Sequence, residues 1–415
     1  MRRVCMLTVT SIIFDSRIQK EARALRDAGY EVTILSVEDQ ELMRGVADAS
    51  ATWQAYLAST PGITTRRFFL RARTWKWLPK PVNKALQAVE LFFKFGRAVL
   101  RNGADIIHCH DLTPALFAWI GKWRHGAIII YDAHEMEVEQ QASGGIKARL
   151  LAIYERQMIR RSSHVITVNA MIRDIMQDRY GMPVHVIENR PEYLPADRLD
   201  TQKLRRELQV PDDRRIVLYV GNLSLTRGID KMVEALKYLD HSIHFYIMGT
   251  GRIQEYKAQV EDLLRTHRID QERVRFIGPY PPGDVIQYLS GADVSVLLYQ
   301  PTSNNMLFNA PNKLFQSIVA RVPMVASHNK TFPGLIRPNT DEAIGVTVDA
   351  TDPVAIAAGL EALLDEDYYR QARVNLQQRA KEVSWASEQE KLIRIYGGLS
   401  DHPRDTMILK SQERA

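Results

Sequence analysis

Short runs of apolar residues alternate with segments of helical periodicity along almost the whole chain. These runs contain few polar positions, as expected for strands that a parallel sheet buries on both faces. In the first half of the chain they cover residues 2–9, 31–36, 105–110, 127–134, 164–169 and 184–189. In the second half they cover residues 215–221, 243–249, 274–278, 293–298, 322–327 and 344–349.

Segments with apolar residues at helical spacing lie between these runs. They cover 17–28, 82–101 and 146–161 in the first half, and 228–238, 252–267, 283–291, 312–320 and 353–364 in the second. Alternating strands and helices predict an α/β fold of doubly wound parallel sheets. Because the pattern forms two blocks of similar size, we predict one Rossmann-like domain over 1–190 and another over 195–383.

The last helical pattern covers 385–399, and we predict that this helix completes the first domain. One face of it carries Trp385, Leu392, Tyr396 and Leu399. Residues 401–415 are polar and are predicted to form a frayed tail.

The composition is that of an ordinary soluble globular protein, with 45% hydrophobic and 25% charged residues among 415. No apolar run approaches the ~18 residues that a membrane-spanning helix needs. Thr8, Thr10 and Ser11 interrupt the N-terminal stretch, so we interpret it as a core strand rather than a signal peptide. Cys5 and Cys109 lie in apolar runs, which predicts buried free thiols in a reducing cytoplasm.

Residues 66–101 combine basic and aromatic side chains, although the net charge of the whole chain is only +6. Aromatic rings beside cations are typical of proteins that contact an anionic membrane surface. We therefore predict contact with the inner face of a membrane; nucleic acid is not expected, because no binding-module signature is present. The ten basic residues of this stretch are Arg66, Arg67, Arg71, Arg73, Lys76, Lys80, Lys84, Lys94, Arg97 and Arg101.

The alternative interpretation of this stretch is a core helix. Five of its apolar residues recur at helical spacing and would then face the protein interior. They are Val82, Leu86, Val89, Phe93 and Leu100.

Ligands of open parallel sheets bind beyond the carboxyl ends of the strands, and glycine-containing turns follow two strands of the second half. In YVGNLSLTRG, Gly221 ends a strand and Arg227 precedes a helix N-terminus, which suits a phosphate group. In IMGTGRIQEY, Gly249 and Gly251 separate a strand from a helix, without the full dinucleotide fingerprint. Either motif alone also fits an ordinary turn between a strand and a helix.

A third motif, NAPNKLFQSIVARVPMVAS (309–327), joins a proline-containing turn to a helix and a buried strand. Asn312 is a suitable cap for this helix. Lys313 lies in the first turn, where a cation opposes the helix dipole unless an anion is near. The motif therefore predicts a phosphate site, with a capped amphipathic helix as the alternative.

Together with FIGPY (276–280) and ADVSVLL (292–298), these motifs resemble glycosyltransferase family 4. The resemblance covers roughly residues 1–400, and it implies a GT-B fold with two Rossmann-like domains that face a central cleft. It implies a nucleoside-diphosphate sugar as donor, no bound cofactor and no metal. The donor residues that it implies are Gly221, Asn222, Arg227, Gly249, Gly251, Gly278, Asn312, Lys313, Leu314 and Gln316.

Two positions depart from the family pattern. Many members have arginine where this chain has Asn222. Members of the branch with an NKLF-type helix usually keep a glutamate for the ribose, and this chain has Gln316 there. A neutral amide is a weaker acceptor than a carboxylate.

Two loops of the first half carry histidines after strands, HCHD (108–111) and YDAHE (131–135). The resemblance assigns them to the acceptor side, where His110 or His134 would bind the acceptor or the sugar as a neutral acid or base. Asp132 and Glu135 would assist. The alternative is that these groups are buried and structural.

Zinc is not predicted at these loops. His108 and His110 share one face of a strand and Cys109 points away from it, and no further ligand pair has the usual zinc spacing.

The first strand–helix loop contains Asp15 and Arg17, in place of the glycine pair of many family members. Arg17 would bind an anionic acceptor or a phosphate. Alternatively, it forms an ion pair with Glu21 across one helical turn.

The sequence thus predicts a metal-independent retaining transferase that moves a sugar to a hydroxyl of a glycan or polyprenyl-linked acceptor, in cell-surface polysaccharide synthesis. Two alternatives remain: a non-catalytic GT-B scaffold of a polysaccharide assembly complex, and a nucleotide-sugar epimerase. A dehydrogenase is disfavoured, because the glycine-rich dinucleotide fingerprint is absent from both halves.

Overall fold

The computed structural model describes residues 1–38, 49–75, 77–136, 146–250, 253–278, 284–308 and 310–399. The chain divides into two compact units, Met1–Glu188 with the residues from Gln389 onward, and Asn189–Glu388. We predicted the change of domain at 190–195 and the return at 385. The predicted tail at 401–415 and the basic residue Lys76 lie outside the described residues.

The first unit contains a parallel sheet with the strand order β3-β2-β1-β4-β5-β6-β7. Its strands are β1 (Arg3–Leu7), β2 (Glu31–Glu38), β3 (Thr64–Phe69), β4 (Ile106–His110), β5 (Ile128–Ala133), β6 (His164–Thr167) and β7 (His185–Val186). Its helices are α1 (Ser16–Asp27), α2 (Ala49–Ser59), α3 (Lys80–Asn102), α4 (Ala115–His125), α5 (Ile146–Arg161) and α6 (Ala170–Tyr180).

The second unit repeats this plan, with the strand order β10-β9-β8-β11-β12-β13. Its strands are β8 (Arg215–Asn222), β9 (Ile243–Thr250), β10 (Val274–Ile277), β11 (Val294–Leu297), β12 (Met324–Ser327) and β13 (Gly345–Val348). Its helices are α7 (Lys203–Leu208), α8 (Ile229–Ala235), α9 (Ile253–His267), α10 (Val285–Ser290), α11 (Asn304–Phe308), α12 (Asn312–Val319), α13 (Phe332–Ile336), α14 (Pro353–Leu364) and α15 (Glu366–Glu382). The last helix, α16 (Trp385–Gly397), contains the start of the segment that belongs to the first unit.

The two parallel sheets confirm the predicted doubly wound α/β fold. Alternate residues of β8 face opposite sides of the sheet: Val217 and Tyr219 pack in one apolar cluster, whereas Ile216 and Leu218 pack in another. Burial on both faces explains why these strands are almost continuously apolar. Each such side chain contributes about 1.5–3 kcal/mol when it is fully buried.

One strand, β3 (Thr64–Phe69), was not predicted. Its sequence TTRRFF contains two arginines, and none of its residues is fully buried. As the outermost strand of its sheet it pairs only with β2, so it lacks the apolar pattern of a central strand.

The interpretation of five apolar residues in α3 as core is wrong. All five are exposed: Val82 by 48%, Leu86 by 37%, Val89 by 52%, Phe93 by 68% and Leu100 by 40%. Phe95 of the same helix is buried and packs against Phe117. Only the C-terminal part of α3 therefore contributes to the core.

Among the described residues, no helix is both long enough and apolar enough to cross a membrane. Cys5 and Cys109 are buried and free, as predicted. Trp385, Leu392, Tyr396 and Leu399 are all buried, which confirms the predicted apolar face of the last helix.

Candidate active site

Strand order reverses between β8 and β11, and the loops that follow these two strands meet at the carboxyl edge of the second sheet. A short 3-10 turn, Leu225–Arg227, follows β8, and Gly228 then begins helix α8 with a φ of 63°. A Cβ atom at Gly228 would overlap the carbonyl oxygen of Leu298 and lie 2.6 Å from Nε2 of Gln300. Glycine is therefore required here, and the tight turn holds Arg227 at the sheet edge.

Two cations meet at this edge, on either side of an aromatic residue. The guanidinium carbon of Arg227 lies 4.3 Å from the ring centroid of Tyr299, and Nζ of Lys313 lies 5.9 Å from the same centroid. Tyr299 follows β11 and is buried, so it fixes the separation of the two charges. Sequence reasoning missed this residue, although an aromatic residue after a strand end was a readable signal.

Lys313 is held by the end of β8. Its Nζ donates to the hydroxyl of Tyr219 over 2.9 Å and lies 4.3 Å from the centroid of that ring. The Tyr219 hydroxyl in turn donates to the carbonyl oxygen of Asn222 over 2.6 Å. A Cβ atom at Gly221 would overlap Cε and Nζ of Lys313, so the glycine keeps this position open for the lysine.

Within the described part of the chain, neither Arg227 nor Lys313 has a carboxylate within ion-pair distance. Burial and the neighbouring charge of Arg227 hold the pKa of Lys313 well below its usual value. The Nε of Arg227 is buried without a hydrogen-bond partner, and Nη1 faces only the sulfur of Met306 at 3.7 Å. Two adjacent unpaired cations on an aromatic base form a site that an anion would stabilise.

Helix α12 brings further predicted residues to this edge. It begins at Asn312 with Pro311 as its N-cap residue, so the prediction that Asn312 is the cap is wrong. The side chain of Leu314 is buried in the core, and its amide donates to the carbonyl of Pro311 over 3.0 Å. Leu314 therefore cannot contribute a side chain to a ligand.

Gln316 lies one turn farther along α12 and is half-buried. Its side-chain amide makes no hydrogen bond to any described residue. It remains available to a ligand.

Gly249 and Gly278 lie beside each other, because a Cβ at Gly278 would be 3.4 Å from the carbonyl oxygen of Gly249. A Cβ at Gly249 would lie 2.6 Å from the buried side chain of Leu223. Packing under the β8 turn therefore accounts for the glycine at 249. Gly251 lies outside the described residues, and the side chain of Asn222 is exposed.

In the first unit, the carboxyl ends of β4 and β5 carry a buried charged cluster. Both nitrogens of the Arg17 side chain that face Asp132 donate to its carboxylate, Nε over 2.9 Å and Nη2 over 2.8 Å. Nε also lies 3.0 Å from Glu21, and Nη1 donates to the carbonyl of Ile187 over 2.5 Å. All three charged side chains are fully buried.

Arg17 therefore forms the ion pair with Glu21 that was one of the two predictions for it. The other prediction, an anionic acceptor or phosphate on Arg17, is wrong, because buried partners already occupy the guanidinium. Asp132 is likewise a buried partner of Arg17 rather than an exposed helper. Burial alone would raise the pKa of Asp132, but Arg17 and His134 hold it well below its ordinary range.

His134 does not fit the expected neutral acid or base. Its Nε2 lies 3.2 Å from Asp132 and its Nδ1 lies 3.6 Å from Asp111. Burial disfavours a charged ring, yet these two carboxylates raise the pKa of His134 to about 10. At neutral pH the ring is therefore an imidazolium, and sequence reasoning overlooked Asp111 as its partner.

His110 is the neutral histidine of the cluster. Burial and the neighbouring His108 hold the pKa of His110 well below its usual value. The two rings are stacked with centroids 4.3 Å apart, which confirms that they share one face of β4. His110 is buried, with Nδ1 3.1 Å from Nε2 of His134.

Two acceptor-side predictions fall at the margin of this cluster. Asp15 caps α1 by accepting from the amide of Ile18 over 3.2 Å. Glu135 is exposed in the loop after β5. Neither residue contacts the buried carboxylates in the structure's printed geometry, so both remain predictions.

Donor atoms of Glu21, His108, His110 and Asp132 lie within 4.8 Å of one another. Histidine and carboxylate together are a donor set that transition metals accept. However, the guanidinium of Arg17 already lies against both carboxylates. Their charge is balanced by the protein itself, so these residues do not fit an additional cation.

Comparison with known proteins agrees with this architecture. The "Glycosyl transferase 4-like domain" family matches residues 15–190, and the "Glycosyl transferases group 1" family matches residues 200–383. A D-inositol 3-phosphate glycosyltransferase of Corynebacterium diphtheriae is 25% identical over 311 residues, which is 71% of this chain and 70% of the relative.

Two solved structures share the fold. Sucrose-phosphate synthase from Thermosynechococcus elongatus superposes with a TM-score of 0.72 at 17% identity, over 95% of this chain and 98% of that one. Anabaena HepE in complex with UDP-glucose superposes with a TM-score of 0.71 at 16% identity, over 96% of this chain and 100% of that one. With its two doubly wound sheets and family matches over nearly its whole length, the chain belongs to the glycosyltransferases of the GT-B fold, in family 4.

Proposed function

We propose that the chain is a retaining glycosyltransferase that moves a sugar from a nucleoside diphosphate to a hydroxyl of a glycan or polyprenyl-linked acceptor, in cell-surface polysaccharide synthesis. The observation that carries the proposal is the pair of cations, Arg227 and Lys313, without a carboxylate partner among the described residues. The departing group of such a reaction is a nucleoside diphosphate, whose negative charge grows as the sugar–oxygen bond breaks. Preorganised cations at that point lower the barrier.

The two cations would take the role that a divalent metal has in other sugar transferases, so we expect activity without added metal. Arg227 and Lys313 are fixed by Tyr299 and Tyr219 before any ligand arrives. Little reorganisation is then needed when charge develops.

A uridine donor is supported by similarity, since HepE has been crystallised with UDP and with UDP-glucose. A polyol acceptor is supported by the D-inositol 3-phosphate glycosyltransferases among the relatives. The half-buried Gln316 would receive the ribose hydroxyls, as the glutamate does in the branch with an NKLF-type helix.

We further propose that α3 contacts the inner face of an anionic membrane, where a lipid-linked acceptor would be presented. Trp77, Phe92 and Phe93 expose 79%, 45% and 68% of their surface. Lys80 and Lys84 are exposed on the same segment. Rings at headgroup depth and cations near lipid charge favour such a contact.

The test of the proposed function begins with calorimetric titration of the full chain with UDP, GDP, UDP-glucose and GDP-mannose in EDTA. We expect one diphosphate to bind, and sugar transfer from its sugar nucleotide to a membrane extract without added metal. Binding of none of the four would contradict the proposal and favour a scaffold. Conversion of the donor sugar without any acceptor would favour an epimerase.

The membrane contact is tested by flotation with liposomes that contain phosphatidylglycerol, at low salt. We expect the protein to float, and a variant with Phe93→Ser and Trp77→Ser to remain at the bottom. A wild-type protein that does not float would contradict this part of the proposal.

A further inference from the structure

A cavity of about 420 Å³ opens at the carboxyl ends of β12 and β13, within the second unit. It lies on the side of β11 that is opposite to β8 and β9 in the strand order. None of the residues assigned above to the nucleotide lines it. Its volume is ample for one monosaccharide ring.

The floor of the cavity contains two buried polar groups that lack partners. Ser327 is 4% exposed and Asn329 is 5% exposed. Oγ of Ser327 and Nδ2 of Asn329 have no hydrogen-bond partner in the protein. Unsatisfied buried donors are costly, about 1–3 kcal/mol each, so their presence in a cavity indicates a hydrogen-bonding ligand.

The orientation of the Asn329 side chain is fixed. Its Oδ1 accepts from the amides of Thr331 over 2.9 Å and Phe332 over 2.7 Å. Oδ1 therefore belongs to the backbone of the following turn, and Nδ2 is the group left for the cavity.

The wall of the cavity is shared with the cation pair. Tyr299 and Met306 both line the cavity, and both contact the guanidinium of Arg227. A ring in the cavity would therefore lie next to an anion held by Arg227 and Lys313. The flat face of Tyr299 is suited to packing against the C–H groups of a sugar.

We propose that this cavity holds the sugar of the nucleotide-sugar donor, with Ser327 and Asn329 donating hydrogen bonds to its hydroxyl groups. This inference rests on the proposed function, because it takes the diphosphate on Arg227 and Lys313 as given. It assigns the nucleoside and the sugar to opposite sides of the diphosphate along the sheet edge. Ser327 and Asn329 become specificity-determining residues.

The charges of the lining indicate which class of sugar is accepted. Among the described residues that line the cavity there is no lysine or arginine. The exposed Asp349 lies at its rim, and hydrogen bonds from Thr351 hold the pKa of that carboxylate below its usual value. A carboxylate on the sugar would meet this charge without a cation to balance it, so the cavity selects a neutral hexose over a uronic acid.

The test compares binding of UDP with binding of UDP-glucose by calorimetry, or of GDP with GDP-mannose if the chain prefers guanine. Asn329→Asp keeps the Oδ1 acceptor and replaces only the donating group. We expect about a tenfold loss of affinity for the sugar nucleotide and less than about a twofold change for the diphosphate. Ser327→Ala should act in the same direction.

The exposed Asn339, in the same unit, supplies the matched control Asn339→Asp, which should alter neither affinity. Thermal melting checks that each variant is folded. In the wild type we also expect UDP-glucuronic acid to bind about tenfold more weakly than UDP-glucose. Equal affinities for the sugar nucleotide in wild type and both cavity variants would overturn the inference, whereas failure of the wild type to bind any diphosphate would instead overturn the proposed function.

Discussion

The absence of a side chain at Gly221 is coupled to the position of Lys313. The φ of Gly221 is 134°, and a Cβ atom there would overlap the last two atoms of the lysine side chain. The strand end and the helix that follows β11 are therefore fitted to one another at a single point. The ammonium group occupies the volume that any other residue at 221 would fill.

Gly221→Ala should consequently displace Lys313 and weaken diphosphate binding. We expect at least about a tenfold rise in Kd for the preferred diphosphate, because one cation of the pair leaves its place and the backbone at 221 is strained. Calorimetry measures this. The control is Gly334→Ala, since no atom lies within 4 Å of a Cβ at 334; an unchanged Kd in Gly221→Ala would show that the lysine does not bind the ligand.

Arg227→Ala should lower kcat by about 10²–10³, the range found when one preorganised charge-stabilising donor is removed. The fold should survive, because Arg227 pairs with no carboxylate among the described residues. Single-turnover sugar transfer measures the effect. Arg370→Ala, at an exposed arginine of the same unit, is the control and should transfer sugar at the wild-type rate.

Lys313 should take up a proton when the diphosphate binds. Burial and Arg227 hold the pKa of the free ammonium well below its usual value, and a bound anion reverses that shift because it favours the charged form. Titrations at about pH 8 in buffers of different ionisation enthalpy measure the protons exchanged. The expected uptake should disappear in Lys313→Met; identical apparent enthalpies in all buffers for the wild type would contradict the predicted role.

His134 should contribute stability that depends on pH. Its pKa is raised from 6.5 to about 10 in the folded chain, so its contribution is complete below pH 6.5 and is lost as the pH rises through about 10. The difference in Tm between wild type and His134→Gln should therefore be largest near pH 6 and should shrink toward pH 10. Calorimetric melting at both pH values measures it.

The exposed His241, changed to glutamine, is the control for this series. Its Tm difference from wild type should stay constant between the two pH values. A constant difference in His134→Gln as well would mean that Asp111 and Asp132 do not hold the ring in its charged form.

The sequence predicted the fold more completely than the site, for physical reasons. Central strands such as β8 are apolar throughout, and their signal is local. The edge strand β3 carries Arg66 and Arg67 in place of that pattern, so it was missed. Site geometry depends on contacts far apart in sequence, such as Arg17 with Asp132, which are 115 positions apart.

The same limit explains the errors in the first unit. A motif such as YDAHE shows that a histidine follows a strand, but its charge depends on Asp111, from the end of another strand. In the second unit, Arg227 and Lys313 could be identified because glycine and helix-start signals are local. The aromatic base, Tyr299, lies between the two motifs and carried no motif of its own.

Gln316→Glu should tighten binding of the nucleotide. The Gln316 amide has no partner among the described residues, so no existing hydrogen bond is lost. A carboxylate accepts from a ribose hydroxyl more strongly than a neutral amide, by about 1 kcal/mol, which corresponds to about a fivefold lower Kd. Calorimetry with the diphosphate and with its 2′-deoxy analogue separates this effect from general charge changes, because only the ribose form should gain; an equal change for both nucleotides would place Gln316 away from the ribose.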